Sequence, residues 1–276
     1  IETRSARDFL RELLQSDDRT IRNMAAFALE ADEESGLYYY KAWEPSIEER
    51  LLERGMVSTT MLTGTPIGLR PVVLQRYVSN RPDVDLTYDA ETAILRLNAV
   101  SRYEKVMEGW NRAVQNLDGG TELSGQMFSD CVRSLVNNLC DILDVTVTRT
   151  EEYGRFHGFV LDVSSIRQGT NLPEEIPLLF LRREMPTEND LEDLRSLLVQ
   201  ARVFHRTALL VLFEEGDRIR QAREFVDEKL RDVHAFDVIV LGKKDIQHVV
   251  IAKKPSDALR FTICQQADLT LVSPYS

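Results

Sequence analysis

The chain has 276 residues, 43% of them hydrophobic and 29% charged, with a formal net charge of −11. That is enough polypeptide for one large core or two modest ones, within the composition of ordinary globular protein. No apolar run approaches the roughly 20 residues of a membrane-crossing helix, and acidic residues outnumber basic ones in both halves, so bulk charge gives no attraction for nucleic acid.

The opening stretch IETRSARDFLRELL is charged and amphipathic, unlike a signal peptide. Phe9, Leu10, Leu13 and Leu14 fall on one side of a helix over 5–14, and Ile21, Met24, Ala25 and Ala28 keep helical spacing over 20–30. Tyr38, Tyr39, Tyr40 and Trp43 form an aromatic cluster, read as inter-helix packing rather than a base-stacking platform. Pro45, Ser46, Glu48 and Glu49 then open a helix over 46–54, which Gly55 stops. MVSTTMLTGTPIGLRP follows, with two glycines and two prolines, and predicts turns or a short hairpin. A leucine-rich helix, then R-G-M-V-S, then a T-P-x-G turn is the rhythm of a winged helix. The surrounding Glu44, Glu48, Glu49 and Glu53 turn that reading toward protein contact and away from DNA.

A short apolar helix or strand is expected over 71–77 and a turn at 80–82. One long helix is then predicted over 89–117, on the repeat Ile94, Leu97, Val100, Val106, Trp110 and Val114. A helix capped by Ser129 follows over 129–143. Residues 1–143 thus form one mainly helical domain in this reading.

From 144 to 276 the pattern becomes α/β. TVTRTEEYGRFHGFVLDV predicts two antiparallel strands, 145–150 and 158–163, joined through Gly154. IPLLFLR (176–182), TALLVLF (207–213), DVIVLG (237–242) and LTLVS (269–273) are short apolar runs, and amphipathic helices are predicted over 188–204 and 217–233. This alternation predicts βαβ units and a mostly parallel sheet, of restriction-endonuclease-like or Rossmann-like type. Two shorter helices, 245–252 and 256–267, are separated by Pro255.

Chemical signatures are sparse. The chain has no G-x-x-x-x-G-K-[ST], no G-x-G-x-x-G and no G-x-S-x-G, so nothing points to a P-loop, a dinucleotide site or a serine nucleophile. Cys131, Cys140 and Cys264 give an odd count and, with four scattered histidines, no metal spacing. No cofactor or metal is expected within the chain.

A metal-dependent nuclease would place an Asp on one strand and acidic-x-Lys on the next, the carboxylates holding the ion and the Lys offsetting charge at the phosphate. Asp162 and Glu184 are the candidates, but Glu184 is followed by Met185 and Pro186, so the Lys is missing. Arg182, Arg183, Lys243 and Lys244 form a second candidate set. They cluster if strands 176–182 and 237–242 end on the same edge, where parallel sheets bind ligands.

The end of the chain, ALRFTICQQADLTLVSPYS, resembles the segment leading into the nucleotide-binding domain of bacterial STAND-type signalling ATPases with an origin-recognition-like AAA module. Gln266, Asp268, Leu269, Ser273, Pro274 and Tyr275 carry the resemblance. In that family the stretch precedes a Gly/Pro linker, a Phe-Gly-Arg-Glu motif and the P-loop, none of which lies in this chain. The resemblance implies the N-terminal part of a longer cytoplasmic protein, whose partners are its own downstream ATPase domain and a trigger, either a protein or a phosphate-bearing ligand. The expected function is therefore a non-catalytic regulatory or sensor module without a membrane role. The alternatives are a nuclease-like phosphodiesterase using Asp162 and Glu184, and a winged-helix DNA-binding module.

Overall fold

The computed structural model describes residues 6–30, 33–65, 67–117, 122–153, 155–167, 172–200, 207–231 and 236–267. The chain divides into two compact units, Ile1–Val100 and Ser101–Ser276. The division falls at Val100 rather than near Leu143, because the helices over 101–143 supply one side of the second unit's core.

The first unit carries α1 (Ala6–Leu13), α2 (Arg19–Glu30), α3 (Glu33–Arg54), β1 (Met56–Ser58), α4 (Arg70–Asn80), β2 (Leu86–Asp89) and β3 (Ile94–Leu97). Of the turns or short hairpin expected after Gly55, the structure has the turns, single 3-10 turns at Thr59–Met61 and Ile67–Leu69. Gly55, at φ +69°, donates its N–H to Leu51 O and ends α3 in a conformation that costs a side chain dearly. Pro45 lies inside α3 instead of opening a new helix. It removes one backbone bond, which the buried face of Tyr40, Ile47 and Leu51 outweighs. The aromatic cluster packs as expected: Tyr40 meets Tyr77 at 6.4 Å between ring centres, and Trp43 Nε1 donates to the buried Thr65 Oγ1 at 2.7 Å.

The helix predicted over 89–117 begins only at Val100. Before it runs a hairpin whose strands complete a small antiparallel sheet in the order β1-β3-β2. Its turn is built by Asp89, whose carboxylate accepts from Glu91 N at 3.0 Å, Thr92 N at 3.3 Å and Thr92 Oγ1 at 2.7 Å. Val57, Leu86, Leu95 and Leu97 are buried, so a strand period of two decides the segment.

The second unit carries α5 (Val100–Gln115), α6 (Glu122–Leu143), β4 (Thr146–Tyr153), β5 (Phe156–Asp162), β6 (Glu175–Leu181), α7 (Glu188–Gln200), β7 (Thr207–Val211), α8 (Asp217–Val226), β8 (Asp237–Leu241), α9 (Lys243–Ile251) and α10 (Pro255–Gln266). A π-helical turn, Asp227–Arg231, extends α8. The strands form one five-stranded sheet in sequence order. The sheet is mixed, not mostly parallel: β4–β5 and β5–β6 are antiparallel, β6–β7 and β7–β8 parallel. Tyr153 and Phe156 are too close in sequence for a crossover helix, which requires the hairpin geometry. The run LTLVS at 269–273 lies outside the described residues.

Alternating side chains divide the sheet between two layers of helix. Ile176, Leu178 and Phe180 of β6 share one core with α5, α6, α9 and α10, while Leu179 and Leu181 share the other with α7 and α8. The first core is linked by aromatic contacts, Trp110 to Phe213 at 4.7 Å, Phe213 to Phe180 at 6.1 Å and Phe180 to Phe159 at 6.1 Å. Among the described residues, no helix is long and apolar enough to cross a membrane.

Candidate functional site

The β5–β6 ladder keeps Asp162 and Glu184 apart. Asp162 pairs in register with Glu175 at one end, and Phe156 pairs with Leu181 at the other, beyond which Glu184 lies. Seven residues at about 3.3 Å each separate the two carboxyl groups by roughly 20 Å. Asp162 is exposed to solvent at its carboxylate, which Ser164 holds below the ordinary range through its hydroxyl and its N–H, the latter at 2.9 Å. Glu184 instead meets Arg218 at 2.9 Å. One metal ion cannot span the pair.

The acid that the ladder does set beside Asp162 is Glu175. Glu175-Ile176-Pro177 keeps the acidic-x-Lys spacing with proline where the lysine would stand, and Glu175 pairs with Arg149 at 3.4 Å. Sequence reading passed over Glu175 because it precedes the apolar run. Counting the two strands as a hairpin, so that the last residue of one faces the first of the next, was the signal that could have found it. Among the described residues, no group of three or more His, Cys, Asp or Glu side chains is placed to hold a metal ion.

The basic set does reach one edge. β6, β7 and β8 run parallel, so Arg182, Arg183, Lys243 and Lys244 follow strand ends on the same side of the sheet, roughly 10 Å apart across β7. Glu214 and Glu215 follow β7 between them, and the charges are largely engaged with one another. Lys243 approaches Glu215 at 3.9 Å, and Arg218 bridges Glu184 and Glu214, both at 2.9 Å. The Arg182 side chain lies against Gly125 of α6, where an added Cβ would come within 2.7 Å of Arg182 Nη1. Lys244 stays exposed.

Two strand-to-helix corners use the same device. At the start of α7, Asp190 is 4% exposed, and its Oδ2 accepts from Arg183 Nη1 at 2.9 Å and Thr187 N at 2.8 Å. At the start of α9, Asp245 Oδ2 accepts from Gly242 N and from Arg223 Nη2, both at 2.7 Å. In each case an internal carboxylate occupies the positive end of the helix, where a phosphate would otherwise bind. Beside the first corner, Arg183, Glu184, Met185, Arg218 and Gln221 line an open hollow of about 520 Å³.

All three thiols are shifted toward the neutral form. Burial pushes Cys140 up to about 11, with Asp141 adding to the effect, and burial raises Cys131 and Cys264 as well. No protein-family model, no curated protein and no solved structure matches this chain.

Proposed function

We propose that this chain is a non-catalytic recognition and relay module, which binds a protein trigger at the carboxyl edge of its sheet and couples that event to an NTPase domain of the same polypeptide. The observation that carries the reading is the mixed-sign edge around the 520 Å³ hollow, where Arg218 sits between Glu184 and Glu214 and the helix starts hold their own carboxylates. Such a surface offers paired charges to a protein partner, whereas a phosphate would have to displace Asp190 or Asp245. The relay half rests on the resemblance of the terminal segment, of which residues 268–276 lie outside the described residues.

The connectivity supports a nuclease-type scaffold put to this use. We read helix α6, the antiparallel run β4-β5-β6, helix α7 and parallel β7 as a restriction-endonuclease-like order, with Pro177 where the lysine of that pattern would stand. The codons after Ser276 are expected to encode a P-loop, and a stop codon there removes the relay. Plasmid and single-stranded DNA are expected to survive incubation with the chain and Mg²⁺ or Mn²⁺. Cleavage that disappears in Asp162→Ala or Glu175→Ala overturns the non-catalytic reading.

A second reading, duplex binding by the first unit, is favoured by α4. We read the order α3–β1–α4–β2–β3, with sheet order β1-β3-β2, as winged-helix-like. Gln75, Ser79 and Asn80 are exposed on α4, and residues 54–82 contain Arg54, Arg70, Arg76 and Arg81 but no acidic residue. Gel shifts with duplex DNA at low salt, weakening steeply as salt rises, are its expected outcome. Absence of a shift at low salt removes it.

A further inference from the structure

Strand β4 forms one edge of the five-stranded sheet, and among the described residues its hydrogen-bonded neighbour is β5 alone. Eight residues at about 3.4 Å give an edge of roughly 27 Å, and an edge of that length is a template for another strand. Thr146, Val147, Thr148 and Thr150 are exposed along it, and the strand contains no proline. Its one bulge lies between Val147 and Arg149 near the start. Beyond the bulge the backbone is regular, with Arg149 opposite Val160, Thr150 opposite Phe159 and Glu151 opposite Gly158.

The order of charges along this edge selects its partner. The regular part reads Arg149, Thr150, Glu151, Glu152, Tyr153. A second copy of β4 laid antiparallel, with Thr150 facing Thr150, sets Arg149 against Glu151 and Glu151 against Arg149. Both charged pairs are of opposite sign, which stabilises directly opposed cross-strand positions. Sliding the copies by one residue would set Arg149 against Glu152 in one direction, but it opposes residues from opposite faces of the sheet, which a two-fold antiparallel pair does not allow. A slide by two sets Arg149 against Arg149 or Glu151 against Glu151, which repels. The sequence is thus self-complementary in one register and selects against its neighbours.

We propose that β4 is a homodimerisation edge, pairing antiparallel about Thr150 with the β4 of a second copy and joining two five-stranded sheets into one. The Arg149–Glu175 contact leaves room for this. At 3.4 Å between side chains about one-third exposed it is a weak pair, and a guanidinium has donors to spare for a second carboxylate. A single strand-to-strand contact is small for a protein interface, so the dimer forms and dissociates with concentration. This inference is independent of the recognition reading.

Sedimentation velocity on the whole chain tests it, supported by circular dichroism to show that each variant is folded. The wild type is expected to pass from monomer to dimer in the tens-of-micromolar range. Glu151→Arg leaves the Arg149–Glu175 pair alone but opposes arginine to arginine twice, and is expected to weaken the dimer at least about tenfold. Thr150→Arg sets like charges on the symmetry axis and is expected to abolish it. The double exchange R149E/E151R restores opposite signs and is expected to recover dimerisation. A wild type that stays monomeric at every concentration overturns the proposal. So does Glu151→Arg or Thr150→Arg dimerising as the wild type does, or the double exchange failing to rescue.

Discussion

At Asp190 a carboxylate is almost fully removed from water and is kept there by a guanidinium, a backbone N–H and the Thr187 hydroxyl, which together tie the end of β6 to the start of α7. Asp190→Ala deletes the cap and leaves those donors without their acceptor, so unfolding by urea is expected to show a loss of about 1–3 kcal/mol. Asp190→Asn keeps the shape and is expected to lose less. Cys140 makes a second residue-level expectation. With its ionisation pushed from 9.0 to about 11, its thiolate fraction near pH 8 falls by roughly a hundredfold, and alkylation in native buffer is expected to be slower than in urea by at least that factor. The sign follows from linkage: folding favours the neutral thiol. Its contribution is complete below 9.0 and is lost as pH rises toward about 11.

Among elements, the hairpin of β2 and β3 shows where periodicity misleads. Ile94 and Leu97 continue the spacing of Val100, and the turn Asp89–Ala90–Glu91–Thr92–Ala93 contains neither glycine nor proline, so nothing punctuated the run. The turn is fixed instead by the Asp89 side chain, and Ala93 sits at φ +52°. Ala93→Gly relieves that conformation and is expected to stabilise the first unit by about 0.5–1 kcal/mol in thermal unfolding. Asp89 is held below the ordinary carboxylate range, first by the Thr92 hydroxyl and then by the N–H groups of Thr92 and Glu91. The turn's stabilisation is therefore present above that range and is lost as pH falls through the depressed value, which an NMR titration of the Thr92 amide reads directly.

The later strands were legible because β6, β7 and β8 are continuous apolar runs between amphipathic helices, the pattern of strands buried on both faces. What that pattern could not give was direction. The β4–β5 hairpin was legible as an antiparallel pair, but apolar runs look alike in parallel and antiparallel pairs, so the antiparallel β5–β6 step was absorbed into an expected mostly parallel sheet. The candidate site suffered the same way. Asp162 was legible as a strand end, but which acid faced it depended on register, and register placed Glu175 there.

In the molecule as a whole, among the described residues the second unit builds its two cores from its own side chains, and its first core takes Trp110, Phe128, Val132, Leu135 and Leu139 from α5 and α6. Each such side chain is worth about 1.5–3 kcal/mol, and together they rival the roughly 5–15 kcal/mol of a whole domain. A fragment beginning at 101 is expected to unfold cooperatively. One beginning at 144, where composition alone placed a boundary, is expected to bind hydrophobic dye and aggregate, as calorimetry and light scattering will show.

The positions of Trp43 and Trp110 have an optical consequence. The chain has two tryptophans, and each unit holds one: Trp43 half-buried with its indole N–H on Thr65, Trp110 buried against Phe213. Each unit therefore carries its own intrinsic fluorophore. Replacing either by phenylalanine leaves a single emitter, so the melting of one half can be followed by its light while the other remains dark.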